Sequence, residues 1–487
     1  MQLADRLSKS RYVKGLRCSR ALYLAVHHYD LASAPTPAQQ ARFDVGHQVG
    51  ELAQQRYPGG ILITEDHFHH REAVESTRRA IDAGATAIFE AAFVHDNVKI
   101  RADVLRRIED GSGSWELIEV KSTGRYDPAK HLPDVGVQLH VLLGSGIDVR
   151  RVSLMHLDKA YVYPGGEYDP HALLTATDVT SEAFDYIADV PLHLAEMMAV
   201  LALPDVPEAP ADVSCEKPYA CEFHAWCTRD VPAPNLEGDL VTDPAVMRRL
   251  DELPFPLYFV DFETINPGLP LFPGTSPFQV AKVQWSVHTL HADDRLEHAE
   301  YLARSASTDP GPEFIGALLD ALSTHGTFVH YSHYERTHLI DIAVRHPAWR
   351  QPLIDRIPGF FDTLTRKLAD NGISYAGLHR PQKGGLVAFD LGMRIVRDGC
   401  SHPIFGPRGW SIKDAVRVIT PDLPAYDGLA VRDGEEAMSA TVEMLSPETP
   451  PDRAEQIRRD LLEYCKLDTY AMVEIYRRLA ALEPRRT

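Results

Sequence analysis

The stretch 228–256 carries five prolines, several acids and little strand signal. Proline fixes φ and removes a backbone donor, so such a stretch does not thread a sheet or a long helix. It divides the 487-residue chain into two halves, each long enough to close a core without the other. A strongly apolar run, 257–262, opens the second half. The expected organisation is a first domain over 1–230, a linker over 231–255 with one short helix near 245–253, and a second domain over 256–487.

Within the first half, apolar spacing predicts an amphipathic helix over 72–83 that Gly84 ends, and a helix over 135–143. Strands are expected over 98–108 and 115–120, joined by Gly-Ser-Gly-Ser at 111–114, and again over 152–157. The second half reads as strands at 257–262, 281–290 and 327–332, with helices near 312–323, 334–345 and 453–482. The expected fold class is therefore α/β in two domains. No apolar run approaches the roughly 20 residues that span a bilayer, and the N-terminus lacks an apolar signal core, so a cytoplasmic chain without a membrane partner is expected. The net charge of −19 argues against a broad electrostatic grip on nucleic acid, but leaves room for a local basic groove. It also suits a chain that holds cations with carboxylates.

Three groups of residues carry chemistry. Asp103 lies in the first strand of the expected hairpin, and Glu119 and Lys121 lie in the second. Residues i and i+2 of a strand share a face, so Glu119 and Lys121 point the same way, with Ile118 and Val120 on the buried side and Asp103 opposite. Two carboxylates and an amine on one face suit a hard divalent cation and a polarised water. This pattern resembles the core of PD-(D/E)xK nucleases, and the wording "IRADVLRR…WELIEVKST" resembles their RecB branch. The resemblance implies a restriction-endonuclease-like core, with Mg²⁺ or Mn²⁺ on Asp103 and Glu119, Lys121 aimed at the water or the phosphate, and Gln138 as the helical Gln of the branch. It also implies a ligand from "FDVGHQVGELA", where either His47 or Glu51 fills the place.

Cys215, Cys221 and Cys227 follow one another at intervals of six, and Cys18 lies far upstream. Disulfides are not expected in a cytosolic chain, and four thiolates suit a [4Fe–4S] cluster, or alternatively Zn²⁺. One Cys before the nuclease core and three after it resembles the iron–sulfur RecB-family nucleases, in which the cluster staples the ends of the domain. The basic segment 9–20 is a candidate contact for a phosphate backbone.

The second half opens with "LYFVDFETI" and closes on "LLEYCKLDTYAM". Asp261 and Glu263 leave an apolar strand at i and i+2, where burial is costly unless a cation is held. Tyr464 and Asp468 share a helical face, and Glu335 stands near a helix start after the strand at 327–332. The set resembles the DEDD exonucleases of ribonuclease H-like fold, in their Tyr-containing subclass. That implies a mixed sheet with flanking helices, a metal site on Asp261, Glu263 and Asp468, and a water oriented by Tyr464. Glu335 stands where the family has Asp, with Asp341 and Asp362 as alternatives. The whole resembles a bacterial family of RecB-like nucleases fused to a ribonuclease H-like domain; "SIKDA" at 411–415 and "YDGLAVRDGEEA" at 426–437 share in that likeness. The implied function is a metal-dependent nuclease acting on nucleic acid, DNA rather than RNA. A nucleic-acid-binding or scaffold protein with one or both centres degenerate is the alternative. A redox enzyme is disfavoured, because no Gly-rich dinucleotide fingerprint appears.

Overall fold

The computed structural model describes residues 7–210, 215, 219–231, 237–405, 409–423 and 428–482. They form a mixed α/β structure of two compact units. One contains the described residues of 1–232 with 268–270 and 276–278, and the other contains the rest.

The strands of the first unit are β1 (Leu7–Ser8), β2 (Ile61–Leu62), β3 (Ala87–His95), β4 (Val98–Arg107), β5 (Trp115–Lys121), β6 (Val149–Leu157) and β7 (Leu174–Asp178). Its helices are α1 (Lys9–Arg17), α2 (Ser19–His27), α3 (Pro37–Gln55), α4 (His70–Asp82), α5 (Pro128–Gly144), α6 (Pro170–Leu173), α7 (Thr180–Tyr186), α8 (Val190–Leu201) and α9 (His224–Thr228). The sheet runs β2–β3–β4–β5–β6–β7, with β1 pairing β4. Strands β4 and β5 form an antiparallel hairpin, from Arg107 opposite Trp115 to Val104 opposite Ile118. Gly111 and Gly113 turn it with φ of 77° each, a region closed to most side chains. Strands β5 and β6 are parallel, and α5 makes the crossover that parallel strands require.

That crossover changes the expected pattern. Trp115 to Glu119 are buried without a break, whereas a strand with one buried face was expected. A central strand with a parallel neighbour is covered on both sides, so alternation is lost and Glu119 is carried into the interior. Helix α5 also starts earlier than its apolar pattern, at Pro128, where a proline at the first helical position forfeits no intrahelical bond.

The second unit has a two-stranded ladder of β8 (Val241–Thr242) and β14 (Cys400–Ser401), and a five-stranded sheet of β9 (Leu257–Ile265), β10 (Ala281–Leu290), β11 (Leu296–Leu302), β12 (Thr327–His330) and β13 (Val387–Asp390). Its helices are α10 (Pro244–Asp251), α11 (Gly311–Ala321), α12 (Tyr334–Arg345), α13 (Arg350–Arg356), α14 (Phe361–Asp370), α15 (Ile412–Ile419), α16 (Gly434–Leu445) and α17 (Pro451–Ala481). The sheet order is β11–β10–β9–β12–β13, antiparallel on one side of β9 and parallel on the other. Alternation along β9 serves two cores. Leu257 and Phe259 join the core that holds Leu461, Tyr464 and Met472 of α17, whereas Tyr258, Val260 and Phe262 join Phe314, Leu339 and Leu364 on the other face. The segment expected as a linker is thus partly core. Val246, Met247 and Leu250 of α10 pack with Leu257, and Asp243 caps the helix by accepting from the Ala245 N–H. Its proline stands at the first helical position, where it starts a helix instead of forbidding one.

Candidate active sites

In the first unit the hairpin places Asp103 and Glu119 at the end of the β4–β5 ladder. The ladder's last pair is Val104 with Ile118, and beyond it an Asp103 oxygen accepts from the Val120 N–H at 2.7 Å. Glu119 is fully buried, and both of its oxygens are engaged. Its Oε1 lies 2.8 Å from Lys121 Nζ and 2.8 Å from Lys9 Nζ, and its Oε2 accepts from Gln138 Nε2 at 2.6 Å. Lys121 also pairs with Asp134 at 2.6 Å. Helix α5 therefore supplies Gln138 and Asp134 one turn apart, both onto the end of β5. Gln138 Oε1 is buried without a partner, an acceptor left over for a donor such as a bound water.

The electrostatics follow from this packing. Burial alone would raise the Glu119 carboxyl, but Lys121 and Lys9 outweigh it and hold the group well below the usual carboxylate range. Burial works against the charge of both lysines, and the surrounding acids together outweigh it, Glu119 first, with Asp103 beside Lys9 and Asp134 beside Lys121, so both stay ammonium ions. At Asp103 burial and then Glu119 outweigh Lys9, Lys121 and the Val120 N–H and push the carboxyl up to about 7. His47 and Glu51 of α3 line a cavity of about 300 Å³ with Asp103 and Val120. Glu90 joins them there and carries a left-handed φ of 54°. The all-oxygen pair of Asp103 and Glu119 fits Mg²⁺ or Mn²⁺, provided that Glu119 releases a lysine.

Lys9 and Asp134 are the residues that sequence reasoning missed. Lys9 belongs to the basic segment expected to touch a phosphate backbone, but the cations of that segment are engaged inside the unit. Arg11 donates to the Ala25 carbonyl, Lys14 pairs with Glu222, Arg17 donates to the Tyr219 carbonyl, and Arg20 donates to the Pro207 carbonyl.

Those contacts tie α1 and α2 to the cysteine-bearing segment. Cys18 caps α2, its sulfur accepting from the Ala21 N–H, and it shares a small core with Leu24 and Phe223 against which Cys221 and Cys227 pack. The Cys215 carbonyl accepts from the Cys221 N–H at 2.8 Å. None of the four forms a disulfide among the described residues, and burial raises the thiol of Cys227. Segments before and after the sheet thus meet near these Cys, but among the described residues the four thiols do not close into a metal-ligand group as the acids of the second unit do.

In the second unit, one group of metal-ligand side chains closes on itself among the described residues. Ligand atoms of Asp261, Glu263 and Asp468 all lie within 4.8 Å of one another. Oxygens on one octahedral magnesium ion stand about 3.0 Å apart when adjacent and about 4.2 Å when opposite, so the three would close in by an ångström or so to share one ion. Strand β9 brings the two acids of Asp-x-Glu to one face, and α17 packs on that face through Leu461, Tyr464 and Met472. The register of α17 is pinned by polar contacts to β10. Gln284 donates to the Leu461 carbonyl at 2.8 Å, and Thr469 Oγ1 lies 2.8 Å from both Ser286 Oγ and His288 Nδ1.

Glu335 reaches the same cluster from the start of α12. It is buried, its Oε2 has no hydrogen-bond partner among the described residues, and it contributes to the raised pKa of Asp261. Burial raises Asp261 well above the carboxylate range, with Asp468 and Glu263 adding to the effect. Burial and Asp468 push Glu263 up to about 8 against Lys413, and burial pushes Glu335 up to about 8. Tyr464 is buried on the same face of α17 as Asp468, and the Lys413 ammonium stands 5.8 Å from its ring centroid.

Neither alternative to Glu335 belongs here. Asp362 is exposed and paired with Arg380, and Asp341 lies on the part of α12 near Lys282. The additional acid is Asp390, at the end of β13, whose charge raises Glu335 and whose Oδ2 lies 4.0 Å from His330 Nδ1. The segments at 411–415 and 426–437 also acquire places. The first carries Lys413, and the second carries Asp433, the cap of α16, which acts on Glu263; residues 426 and 427 lie outside the described residues.

A family model described as a domain of unknown function, DUF2779, matches residues 258–379, a span that includes Asp261, Glu263 and Glu335. No curated protein matches the chain. Among the described residues no helix is long and apolar enough to cross a membrane.

Proposed function

We propose that the chain is a metal-dependent nuclease that hydrolyses phosphodiester bonds of nucleic acid, DNA rather than RNA, with two catalytic centres. The observation that carries this reading is the convergence of Asp261, Glu263 and Asp468. A trio of acids, Asp468 buried and Asp261 and Glu263 half-buried, gathered this closely suits a divalent cation. The mixed sheet with acids at the ends of its inner strands fits a ribonuclease H-like exonuclease. The hairpin acids with Lys121 and Gln138 fit a RecB-like centre. Divalent ions bound there would lower the pKa of a water and neutralise charge on the phosphate.

In the second centre Asp261, Glu263 and Asp468 hold the cations, and Tyr464 orients the attacking water. The unpartnered Glu335 oxygen is available to a cation or its water shell. In the first centre Asp103 and Glu119 hold the cation, with His47 or Glu51 facing it across the cavity. Gln138 fixes the Glu119 carboxylate, and Lys121 directs its ammonium to the water or the phosphate. Cys18, Cys215, Cys221 and Cys227 would hold a [4Fe–4S] cluster, or Zn²⁺, that staples the ends of the first unit.

One observation favours a second reading, in which the first centre is degenerate and serves to bind or to scaffold. Its Glu119 is saturated by Lys9, Lys121 and Gln138. The test is a panel of labelled single- and double-stranded DNA and RNA, with Mg²⁺ or Mn²⁺ and with chelator. Metal-dependent cleavage that stops in the Asp261→Asn, Lys121→Ala double variant is expected. Cleavage abolished by Asp261→Asn alone assigns the first centre to the second reading. A panel left uncut under all metals sinks the nuclease reading.

A further inference from the structure

Beside the second centre lies a cleft of about 920 Å³, lined by His330, His333, Arg336, Asp390, Arg394 and Arg397 together with Met393. We infer that this cleft holds a single-stranded polynucleotide, with Arg336 and Arg394 on successive backbone phosphates next to the scissile one. The inference rests on the nuclease reading of the acidic cluster and adds to it the path of the substrate.

Continuity comes first. His330 lines the cleft, and its Nδ1 lies 3.9 Å from Glu335 and 4.0 Å from Asp390, so the cleft opens directly beside the acids. Charge comes second. The chain carries a net −19, yet this cleft gathers three guanidiniums and two imidazoles against Asp390 and Asp398. Arg397 is spent on Asp398 at 3.1 Å. Arg336 and Arg394 are exposed, and among the described residues neither is paired with a carboxylate. Unpaired guanidiniums at the mouth of a cleft in an acidic protein are where a polyanion gains most, because the rest of the surface repels it.

Backbone geometry comes third. Residues 392–397 form a turn of π-helix, a widened turn that recurs at functional sites. Arg394 and Arg397 stand on it. The turn is held where it is by Gly392, whose N–H donates to the Tyr331 carbonyl at 3.1 Å and whose position admits no Cβ, since one would lie 2.1 Å from that oxygen. Gly384 and Gly385, with φ of 85° and 90°, form another wall of the cleft. Met393, 39% exposed, adds apolar surface beside the guanidiniums, whereas Phe360 is buried behind the wall.

The test uses the full chain carrying Lys121→Ala, which silences the first centre. A 5′-labelled 12-nucleotide single strand is titrated in Ca²⁺ by fluorescence anisotropy, and its hydrolysis is followed in Mg²⁺ or Mn²⁺. Arg336→Glu with Arg394→Glu, and the milder Gln pair, are compared with the parent after melting curves show the fold intact. The Glu pair is expected to weaken binding at least tenfold and to raise KM with little change in kcat. The slope of log K against log salt should fall by about 1.4, for two phosphates on a single strand. Unchanged affinity and slope overturn the cleft. If hydrolysis then still depends on Asp261, the nuclease reading survives that failure. Weakened binding of a strand that no variant hydrolyses does the reverse: it upholds the cleft and removes the nuclease reading.

Discussion

Replacing Lys9 by Met separates two roles that the first centre combines. Lys9 is one of two ammonium groups on a fully buried Glu119, with its own side chain 23% exposed. Met matches Lys in helix propensity, so α1 itself should persist. Removing one partner of a buried ion pair typically costs about 3–5 kcal/mol, but Lys121 and Gln138 remain on Glu119, so a loss of about 1–3 kcal/mol is expected without metal. For a unit of this size that is a fall in Tm of about 2–12 °C. A divalent cation cancels the loss. An ammonium about 4 Å from a dication on the same carboxylate is repelled by about 8 kcal/mol at an effective dielectric of 20. Lys9 must therefore leave Glu119 before the ion can bind, and the free energy of leaving is subtracted from metal affinity. Taking Lys9 away beforehand should tighten Mg²⁺ or Mn²⁺ by the same about 1–3 kcal/mol, roughly 5- to 150-fold. The two effects close a cycle, so the metal-saturated proteins should melt together although the metal-free ones do not. Calorimetric titration and melting of Lys9→Met in an Asp261→Asn background read both arms. A variant destabilised equally with and without metal, or one whose metal affinity falls, refutes this view of Lys9 and makes it a plain structural cation.

Other outcomes follow from the same geometry. Asp261→Asn should leave the second unit folded and raise its metal-free Tm, because it replaces a carboxyl that the cluster forces to take up a proton with a neutral group that needs none, while exonuclease rates fall by several orders of magnitude; a lower Tm in chelator contradicts the crowding. Glu263 and Glu335 titrate near 8 in the folded state, above their unfolded values near 4.5, so their contribution to stability is complete below about pH 4.5 and lost as pH rises to about 8. Calorimetry in chelator should show the second unit weakening over that window by up to about 1.4 kcal/mol per pH unit for each proton, and Mn²⁺ should flatten the curve. Tyr464→Phe should slow hydrolysis less than Asp468→Asn does, since it removes only a hydroxyl; equal losses would place Tyr464 among the groups that hold the metal site together. Anaerobically purified protein should be brown, and Cys221→Ser should bleach it and lower the Tm of the first unit; colourless protein with stoichiometric zinc selects the zinc alternative.

What could be read from the sequence divides along local and non-local lines. The hairpin that carries Asp103 and Glu119 has a period-two pattern and a Gly-Ser loop, both local, and it lies where they indicate. The same holds for Asp-x-Glu in β9 and for the face that Tyr464 and Asp468 share on α17. Burial of Glu119 was not legible. It depends on β6 arriving parallel to β5 and on α5 closing over them, and strand periodicity carries no sign of either. Lys9 was less legible still. It stands 110 residues from Glu119, brought there by β1, a pairing of only two residues with β4. Its local context, a run of basic residues, pointed instead to solvent. Asp390 ends a short strand after a glycine-rich turn, and only the parallel pairing of β12 with β13 puts it beside His330.

The residues hidden from the sequence make the two centres electrostatic opposites. The first contains its own counter-ions: Lys9, Lys121 and the Gln138 amide already satisfy Glu119, so the centre is assembled without metal and a cation must compete for entry. The second leaves acids buried against one another with Lys413 as the cation that eases Glu263, so protons fill it until a metal displaces them. Metal binding in the first should therefore be opposed mainly by lysine and in the second mainly by protons. Raising pH from 6 to 8 should tighten the second centre by close to one decade per unit for each proton released. The first should respond only through Asp103, whose carboxyl titrates near 7. Metal titrations of Asp261→Asn and of Glu119→Ala across that range isolate the two. Parallel pH dependence with more than one proton at each centre would mean that Lys9 does not hold Glu119 in solution as it does here, and the asymmetry between the centres would vanish with it.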